Sequence, residues 1–184
     1  MKLFAKLTRV AAFLTLGMML SPTILHAMTA QEIDTKTEIA LERFKEQVFG
    51  ADEMLKRAKG VLIFPRVIKG GFVFGGEYGE GVLQVKGKKV DYYNIISGSW
   101  GIQFGIQTKA VFLIFMEESA LRSFQASNGW QVGVDGSVAL IKVGASASVD
   151  TTKTNEPILA FVLGQKGLMW NLTMEGSKFN QIVR

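Results

Sequence analysis

Cysteine is absent from this chain of 184 residues, and histidine occurs only once, at His26. The missing cysteine excludes disulfides, thiol nucleophiles, cysteine-ligated zinc, iron–sulfur clusters and a lipid anchor on sulfur. We expect His26 to be removed with an N-terminal leader, and this excludes Ser-His-Asp triads, Cys-His dyads and histidine metal sites as well. These absences favour a binding or interaction module with no catalytic residue, no metal and no cofactor.

The N-terminus has the three regions of an export signal. Residues 1–9 carry three basic side chains and no acid, Val10–Leu20 is an apolar run, and Ser21-Pro22 ends it. The run is shorter than the roughly 20 apolar residues of a membrane span. Ala27 and Ala30 each offer a small residue for cleavage.

We therefore predict a cleaved signal peptide over residues 1–27, with cleavage after Ala27 favoured although Leu25 occupies the −3 position. An uncleaved membrane anchor and a buried N-terminal helix are the alternatives. Cleavage after Ala27 implies an exported protein, either associated with the periplasm or outer envelope or secreted.

The predicted mature chain, residues 28–184, is almost balanced in charge. Loss of the leader removes three positive charges, so the net charge falls from +5 to +2. Proteins that bind nucleic acid concentrate a larger positive excess, so nucleic acid is not an expected partner. The remaining length is enough for a real core, and we predict a single domain.

Residues 29–59 are predicted to be helical. Thr29 and Glu32 have the Thr-x-x-Glu spacing of a capping box, and apolar residues follow at helical spacing up to residue 49. A second, short helix is predicted over 53–59. The polar face of the long helix mixes both charge signs, which is typical of a solvated face rather than of a membrane-surface helix.

Residues 61–174 are predicted to be rich in strands. We expect Pro65 to end the first apolar run, Val61–Phe64. The segments Gly70–Val85 and Val90–Gln107 each alternate as one long strand, on either side of a tight turn. In the second segment the alternation places Ile96 on the apolar face and Tyr93 on the polar face.

The C-terminal half continues the strand pattern. Ala110–Met116 does not alternate, which predicts a central strand covered on both faces. The other predicted elements are a helix over Glu118–Gln125, strands over Trp130–Val134, Val138–Val149, Ile158–Leu163 and Leu168–Met174, and a short helix over Ser177–Ile182. The fold class is α+β, with N-terminal helices packed on a predominantly antiparallel, strand-rich single domain.

The segment Gly70–Val85 has one face that is nearly bare, because Gly71, Gly75 and Gly79 recur at four-residue spacing. Glycine in a strand marks a bulge, a bend or a close approach of backbone, so we expect a helix or second sheet to pack tightly there. The alternative is a groove that admits a small ligand, formed by Phe72, Phe74, Gly75 and Tyr78.

Acid–base chemistry has little support in the sequence. Glycosidases hold two carboxylates at a defined separation, and an acid-containing chain offers such pairs by chance. The candidate pairs are Glu77 with Glu80, Glu117 with Glu118, and Asp135 with Asp150. Glu77 and Glu80 point to opposite faces of a regular strand.

Several segments are similar to one known family. They are Ala58–Pro65 (AKGVLIFP), Gly70–Gly81 (GGFVFGGEYGEG), Ser97–Gln107 (SGSWGIQFGIQ), Leu113–Met116 (LIFM) and Val134–Ala139 (VDGSVA). From about residue 54 to the C-terminus, the chain resembles the SYLF domain in its short, secreted bacterial form.

The resemblance implies a lipid-binding function. SYLF domains of eukaryotes are associated with phosphoinositides and other acidic lipids, and those of fungi also with actin. The lipid contact is associated with a basic N-terminal portion. The basic positions nearest to that role here are Lys56, Arg57, Lys59, Arg66 and Lys69, and Lys88 and Lys89 on the predicted hairpin turn could join them.

We therefore expect a non-enzymatic protein of the bacterial cell envelope that recognises anionic phospholipid head groups, or a membrane surface, through a local basic patch. Actin is an unlikely partner for an exported bacterial protein. The alternative function is a carrier that holds a small hydrophobic ligand in an aromatic-lined pocket.

Overall fold

A computed structural model gives the architecture of most of the chain. It describes residues 27–71, 74–100, 106–141, 156–164, 167–168, 174 and 176–184. The predicted signal peptide therefore lies outside the described residues except for Ala27. Phe72, most of the predicted strand Val138–Val149 and most of Leu168–Met174 lie outside them too.

Two helices open the described chain, α1 (Ala30–Gln47) and α2 (Ala51–Arg57). The Thr29 hydroxyl accepts a hydrogen bond from the Glu32 backbone N–H at 3.3 Å, and the Glu32 carboxylate accepts one from the Thr29 N–H at 2.8 Å. The predicted capping box is thus confirmed, since each side chain satisfies a backbone donor at the helix end. The second helix begins earlier than expected.

The remaining elements are β1 (Gly60–Gly71), β2 (Phe74–Val85), β3 (Lys88–Trp100), β4 (Ile106–Phe115), α3 (Glu118–Ala126), β5 (Trp130–Gln131), β6 (Ala139–Leu140), β7 (Ile158–Gly164), β8 (Gly167–Leu168) and β9 (Lys178–Ile182). These strands form one mixed sheet. Its order is β5-β9-β3-β2-β1-β4-β7-β6, and β8 pairs with β7. Every pairing among these strands is antiparallel except the parallel pair β6–β7, so the predominantly antiparallel α+β class is confirmed.

The sheet curls around an inner core. Side chains from both ends of the strand order, such as Trp130 and Phe179 at one end and Val162 at the other, belong to a single buried cluster. Phe124 of α3 fills the space between them, with its ring 5.7 Å from Trp130 and 5.1 Å from Phe115. We call the face that lines this cluster the inner face.

The opposite, outer face carries the N-terminal helices. Phe44 of α1 stacks on Phe112 of β4 with ring centroids 4.5 Å apart, and it meets Phe161 of β7 edge-on at 5.1 Å. Ala51 of α2 joins the same buried cluster, as does Ile63 of β1. The helices therefore pack against the middle strands, as the apolar face of α1 predicted.

Strand β4 is buried on both faces, as its unbroken apolar run predicted. Phe112 and Ile114 belong to the outer cluster, whereas Leu113 and Phe115 belong to the inner one. The strand lies between β1 and β7 in the sheet. The turn between β2 and β3 is also confirmed, with positive φ at Lys86 and Gly87 and Val85 paired with Lys88.

The prediction of one strand over Gly70–Val85 is wrong. The segment contains the end of β1 and the whole of β2, which pair so that Gly70 faces Gly76 and Gly71 faces Gly75. The three glycines that were predicted to lie on one strand are therefore divided between two neighbouring strands, with Gly71 in β1 and Gly75 and Gly79 in β2. The alternation in the sequence does not break between β1 and β2, so periodicity alone could not locate the change of strand.

Pro65 does not end the first strand. Strand β1 continues through it to Gly71, and the pairing shifts register there against both neighbouring strands. Proline has no N–H for the ladder, and a β-bulge is one of the few places where a central strand accepts it. The bulge places one extra residue in β1.

The prediction for Val90–Gln107 is wrong in extent and in face. Strand β3 ends at Trp100 and pairs with β2 and β9, whereas Ile106 opens the separate strand β4. Tyr93 is buried in the inner core, and Ile96 is 47 % exposed. Because Ile95 and Ile96 are adjacent and both apolar, the sequence pattern is compatible with burial of either face of β3. In the structure Ile95 is buried in the inner core.

The C-terminal segment is a strand, not the predicted helix. Strand β9 pairs with β3, placing Phe179 opposite Ile95, and with β5, placing it opposite Trp130. The free edge of β3 and the burial of Phe179 override a weak local helical signal. Strand β5 is also shorter than expected, because the chain turns after Gln131, whose N–H donates to Asp135 at 2.7 Å.

We predict that Gly79→Ala destabilises the protein. A Cβ at this position would lie 2.8 Å from the carbonyl oxygen of Arg66 and 2.8 Å from Val67 Cγ2, at the bulge in β1. Overpacking of this kind costs about 1–3 kcal/mol of unfolding free energy, measurable by urea denaturation. In the control Gly98→Ala the new Cβ meets nothing within 4 Å. Equal losses in both variants would contradict a close approach at the bulge.

Candidate functional site

A cleft of about 330 Å³ opens on the outer face, where α1 passes over β1, β4 and β7 at the level of the bulge. Four basic residues line it. Lys36 and Arg43 from α1 and Arg66 from β1 have no carboxylate partner, whereas Lys109 from β4 is paired with Glu77. Ile39, which is 60 % exposed, lines it as well. We call this region the basic cleft. None of its lining residues is acidic.

The bulge is the reason that Arg66 faces the cleft. Phe64 and Val67 both lie in the inner core, and a regular strand would have placed residue 66 on the same face as residue 64. The extra residue shifts the alternation by one position, so that Arg66 is exposed on the outer face. Its Cα lies opposite the Cα of Glu80 in the register of β1 and β2. Bulges commonly redirect a side chain in this way.

Helix α1 supplies the other two basic groups because Lys36 and Arg43 are seven residues apart, which brings them to the same side of a helix after two turns. The Arg43 guanidinium lies 3.5 Å from the carbonyl oxygen of Gly164, and Lys36 Nζ lies 3.3 Å from Met28 Sδ. Among the described residues, no carboxylate is within ion-pair distance of Lys36, Arg43 or Arg66. These three side chains therefore form no ion pair within the described residues, although the pKa of the nearby Glu32 carboxyl group is lowered by its hydrogen bonds with Thr29 and, to a smaller extent, by the positive charge of Lys36.

A second cleft, of about 510 Å³, lies between the helices and the β2–β3 hairpin. Lys45, Lys56 and Lys86 line it together with Asp52. Lys45 pairs with Glu42 at 2.7 Å, and Lys56 pairs with Glu53 at 2.7 Å. Charge here is largely compensated, in contrast to the basic cleft.

The seven predicted head-group residues are divided among several places. Lys56 lines the second cleft and Arg66 the basic cleft. Lys89 Nζ lies 3.1 Å from Asp34 and 3.2 Å from Glu38, so it ties the hairpin to α1. The three that remain exposed on the surface outside both clefts are Arg57 and Lys59 at the end of α2 and Lys88 on the hairpin.

Lys69, the seventh, belongs to an ionic cluster on the inner face. The Glu77 carboxylate lies 2.6 Å from Lys109 Nζ and 3.4 Å from Lys69 Nζ. Burial lowers the pKa of Lys109, and Glu77 opposes that shift by favouring the charged amine. Lys69 is thus engaged within the fold rather than presented to a partner.

The residues of the predicted ligand groove take different positions. Phe72 lies outside the described residues, Phe74 opens β2, and Gly75 is half-buried opposite Ser99. The Tyr78 hydroxyl donates to Glu80 at 2.7 Å, and burial together with that bond raises the pKa of Tyr78 to about 12. Neither cleft is lined by these residues, so the carrier function stays a prediction.

Glu80 itself is buried on the outer face and holds the two ends of the described chain together. Its carboxylate accepts hydrogen bonds from Tyr78, from the guanidinium of Arg184 and, at 2.8 Å, from the backbone nitrogen of Met28. Glu77 and Glu80 point to opposite faces of β2, as predicted. They do not form a carboxylate pair.

Lys36 and Arg43 were not recognised from the sequence as site residues, because α1 mixes both charge signs around its polar face. The available signal was their seven-residue spacing on either side of Ile39 and Ala40, which places basic groups beside apolar ones. That spacing indicates a cleft only when the strands beneath the helix are known.

Within the residue ranges that the structure describes, histidine, cysteine, aspartate and glutamate do not gather in a group of three that could hold a metal ion. No helix in the described part of the chain has both the length and the apolar character needed to cross a membrane.

This combination of a curled sheet, outer helices and a charged cleft occurs in a chain with recognisable relatives. The family model Ysc84, described as "Las17-binding protein actin regulator", matches residues 96–182. Protein YSC84 of Saccharomyces cerevisiae (strain ATCC 204508 / S288c) is 31 % identical over 151 residues, which cover 71 % of this chain and 30 % of the yeast protein. LAS seventeen-binding protein 3 of the same species (strain YJM789) is 30 % identical over 151 residues, covering 71 % and 31 %.

The chain belongs to the Ysc84, or SYLF, family, and the resemblance noted from its motifs is confirmed. It spans about 30 % of the length of the yeast relatives that it matches. The name of the second relative refers to LAS seventeen, and the family description refers both to Las17 and to actin. The expectation that actin is an unlikely partner gains no support from these comparisons.

We predict that Glu77→Gln is strongly destabilising, because it leaves the buried Lys109 amine without its charged partner. Removal of one member of a buried pair costs about 3–5 kcal/mol of unfolding free energy. Glu53→Gln, in the exposed pair with Lys56, should cost far less, because water screens that pair.

The loss caused by Glu77→Gln should shrink in alkaline solution. The folded variant holds Lys109 with a lowered pKa, so its unfolded state binds more protons, and stability rises with pH up to the ordinary lysine pKa. Urea denaturation from pH 6 to pH 10 measures this trend. A pH-independent loss would show that the charge of Lys109 is not its cause.

Proposed function

We propose that this protein is a non-enzymatic module of the bacterial cell envelope that binds the head groups of anionic phospholipids in the basic cleft. The observation that carries the proposal is the cleft itself. Lys36, Arg43 and Arg66 meet there beside the exposed side chain of Ile39, without an acidic lining residue.

The chemistry of the cleft suits a phosphate diester. Two arginines offer planar, paired donors that match phosphate oxygens, and a lysine adds a point charge. Near an anionic membrane each basic side chain contributes about 1 kcal/mol of binding free energy, so three contribute about a hundredfold in affinity. Exposed charges more than about 8 Å apart are screened in physiological salt, so a local group matters more than net charge.

The exposed Ile39 supports a membrane as the source of the phosphate. An apolar side chain beside the basic groups can enter the boundary between head groups and acyl chains while the cations bind phosphate. A protein exported into the bacterial envelope would meet phosphatidylglycerol and cardiolipin, which carry the required charge.

Charge reversal in the cleft tests the proposal. We expect the variant K36E/R43E/R66E to lose sedimentation with phosphatidylglycerol vesicles by about a hundredfold in apparent affinity. The matched variant K56E/R57E/K59E reverses the same number of charges at the end of α2. Its binding should fall by less than about tenfold, because Lys56 is engaged by Glu53.

Circular dichroism and thermal unfolding confirm that both variants fold, and phosphatidylcholine vesicles control for non-ionic binding. A complete loss of binding in K56E/R57E/K59E alone would move the head-group contact to α2. Unchanged sedimentation of both variants, or equal sedimentation of the wild-type protein with neutral vesicles, would refute recognition of anionic lipid by either group.

A further inference from the structure

Glu80 is a buried carboxylate whose position is linked to the start of the predicted mature chain. Only 1 % of the residue is exposed. One of its oxygens accepts hydrogen bonds from Tyr78 and Arg184, and the other, Oε2, lies 2.8 Å from the backbone nitrogen of Met28. Nothing in the basic cleft requires this contact.

The nitrogen that meets Glu80 belongs to the peptide bond at which the export signal is predicted to be cut. In the intact chain it is an amide with a single N–H. Hydrolysis of the Ala27–Met28 bond by water gives the leader a new carboxylate and leaves Met28 with a free amine, which takes up a proton at neutral pH. The neutral donor at Glu80 thereby becomes a cation with three N–H groups.

We propose that Glu80 is the binding site for the α-ammonium group of the mature protein, and that maturation occurs by cleavage between Ala27 and Met28. A hydrogen bond between two charged partners is shorter and stronger than one from a neutral amide, most of all where water is excluded. Cleavage at this bond therefore stabilises the fold as well as separating the mature chain from the leader.

Cleavage after Ala30, the other small residue, would remove two residues that make contacts in the folded protein, Met28 and Thr29. The chain would lose the Met28 contact to Glu80 and also the Thr29 cap, whose hydroxyl and backbone N–H complete the capping box with Glu32. Loss of such a cap alone weakens a helix start. The contacts of Met28 and Thr29 both favour a chain that begins at Met28.

Several charged or titratable groups surround the amine. The Glu80 carboxylate favours the charged form of the amine, and Tyr78 is neutral at physiological pH. Arg184, which is bonded to Glu80, and Lys36, whose Nζ lies 3.3 Å from Met28 Sδ, oppose a further positive charge. Direct contact with the carboxylate dominates, so we expect the α-amino pKa in the folded state to exceed its unfolded value of about 7.7–8.0. The resulting stability is complete below the unfolded pKa and is lost as pH rises through the folded pKa.

The experiment uses the full chain, exported by a bacterial host from its own leader. N-terminal sequencing and intact mass of the exported protein should show a chain that begins at Met28. A start at Gln31, or an uncleaved chain, would overturn the proposal.

A matched precursor carries one extra alanine between Ala27 and Met28, so that its mature form begins with that alanine and keeps an amide at the Met28 nitrogen. Intact mass identifies the start of each purified protein. We expect the wild-type protein to melt about 2–6 °C higher at pH 7, with the difference vanishing near pH 10. Equal melting temperatures at pH 7 would overturn the proposal.

Glu80→Gln in both precursors should abolish the difference in melting temperature. Because this substitution alters a buried carboxylate on which the fold depends, a second measurement uses the proteins with Glu80 intact. Limiting acetic anhydride at pH 7 should acetylate the α-amino group of the wild-type protein at least about fivefold more slowly than that of the extended protein. Equal rates of acetylation would overturn the proposal.

Discussion

The extra residue at the Pro65 bulge decides which side chains of the central strands face the inner core and which face the helices. Phe64 and Val67 can both point inward because the bulge absorbs one residue between them. The same shift turns Arg66 outward under α1. On the neighbouring strand, the backbone of β1 comes so close to Gly79 that a side chain there has no room. The inner core and the basic cleft thus share one local irregularity.

Strand β2 carries a buried carboxylate on each face, and each is satisfied by groups from elsewhere in the chain. Glu77 faces inward to Lys69 and Lys109, whereas Glu80 faces outward to Arg184 and Met28. Burial of a charge is costly unless it is paired, so these contacts hold only in one arrangement of the strands. Each carboxylate therefore depends on the one arrangement of strands and chain ends that brings its partners to it.

The sequence predicted the features that depend on neighbouring residues. The capping box at Thr29, the turn at Lys86-Gly87 and the covered strand β4 are all readable from a few consecutive side chains. The motifs also identified the family. The bulge and the pairing of β9 were not predicted, because each is decided by partners that are distant in the chain. The division between β1 and β2 was missed because the alternation does not break there.

The basic cleft was only partly predicted for the same reason. Arg66 was recognised as a basic residue near a strand, but its direction depends on a register shift that both neighbouring strands share. Lys36 and Arg43 had the spacing of one helix face, yet the strands beneath them were unknown. Lys69 and Lys89 were expected at a surface patch, and they instead have carboxylate partners that sequence spacing could not reveal.

The position of β9 has a consequence for the order in which the domain folds. Asn94 and Asn180, which are hydrogen-bonded between β3 and β9, are 86 residues apart. Closing so long a loop is slow compared with forming the β1–β2 and β2–β3 hairpins, which are local. Until β9 pairs with β3, the edge of β3 has no strand partner, and the rings of Phe64, Phe124 and Trp130 that contact Phe179 are exposed on that side. A nascent chain thus exposes an unpaired strand edge until residues 178–182 are available to pair with it, and this interval is when it most needs protection from other chains.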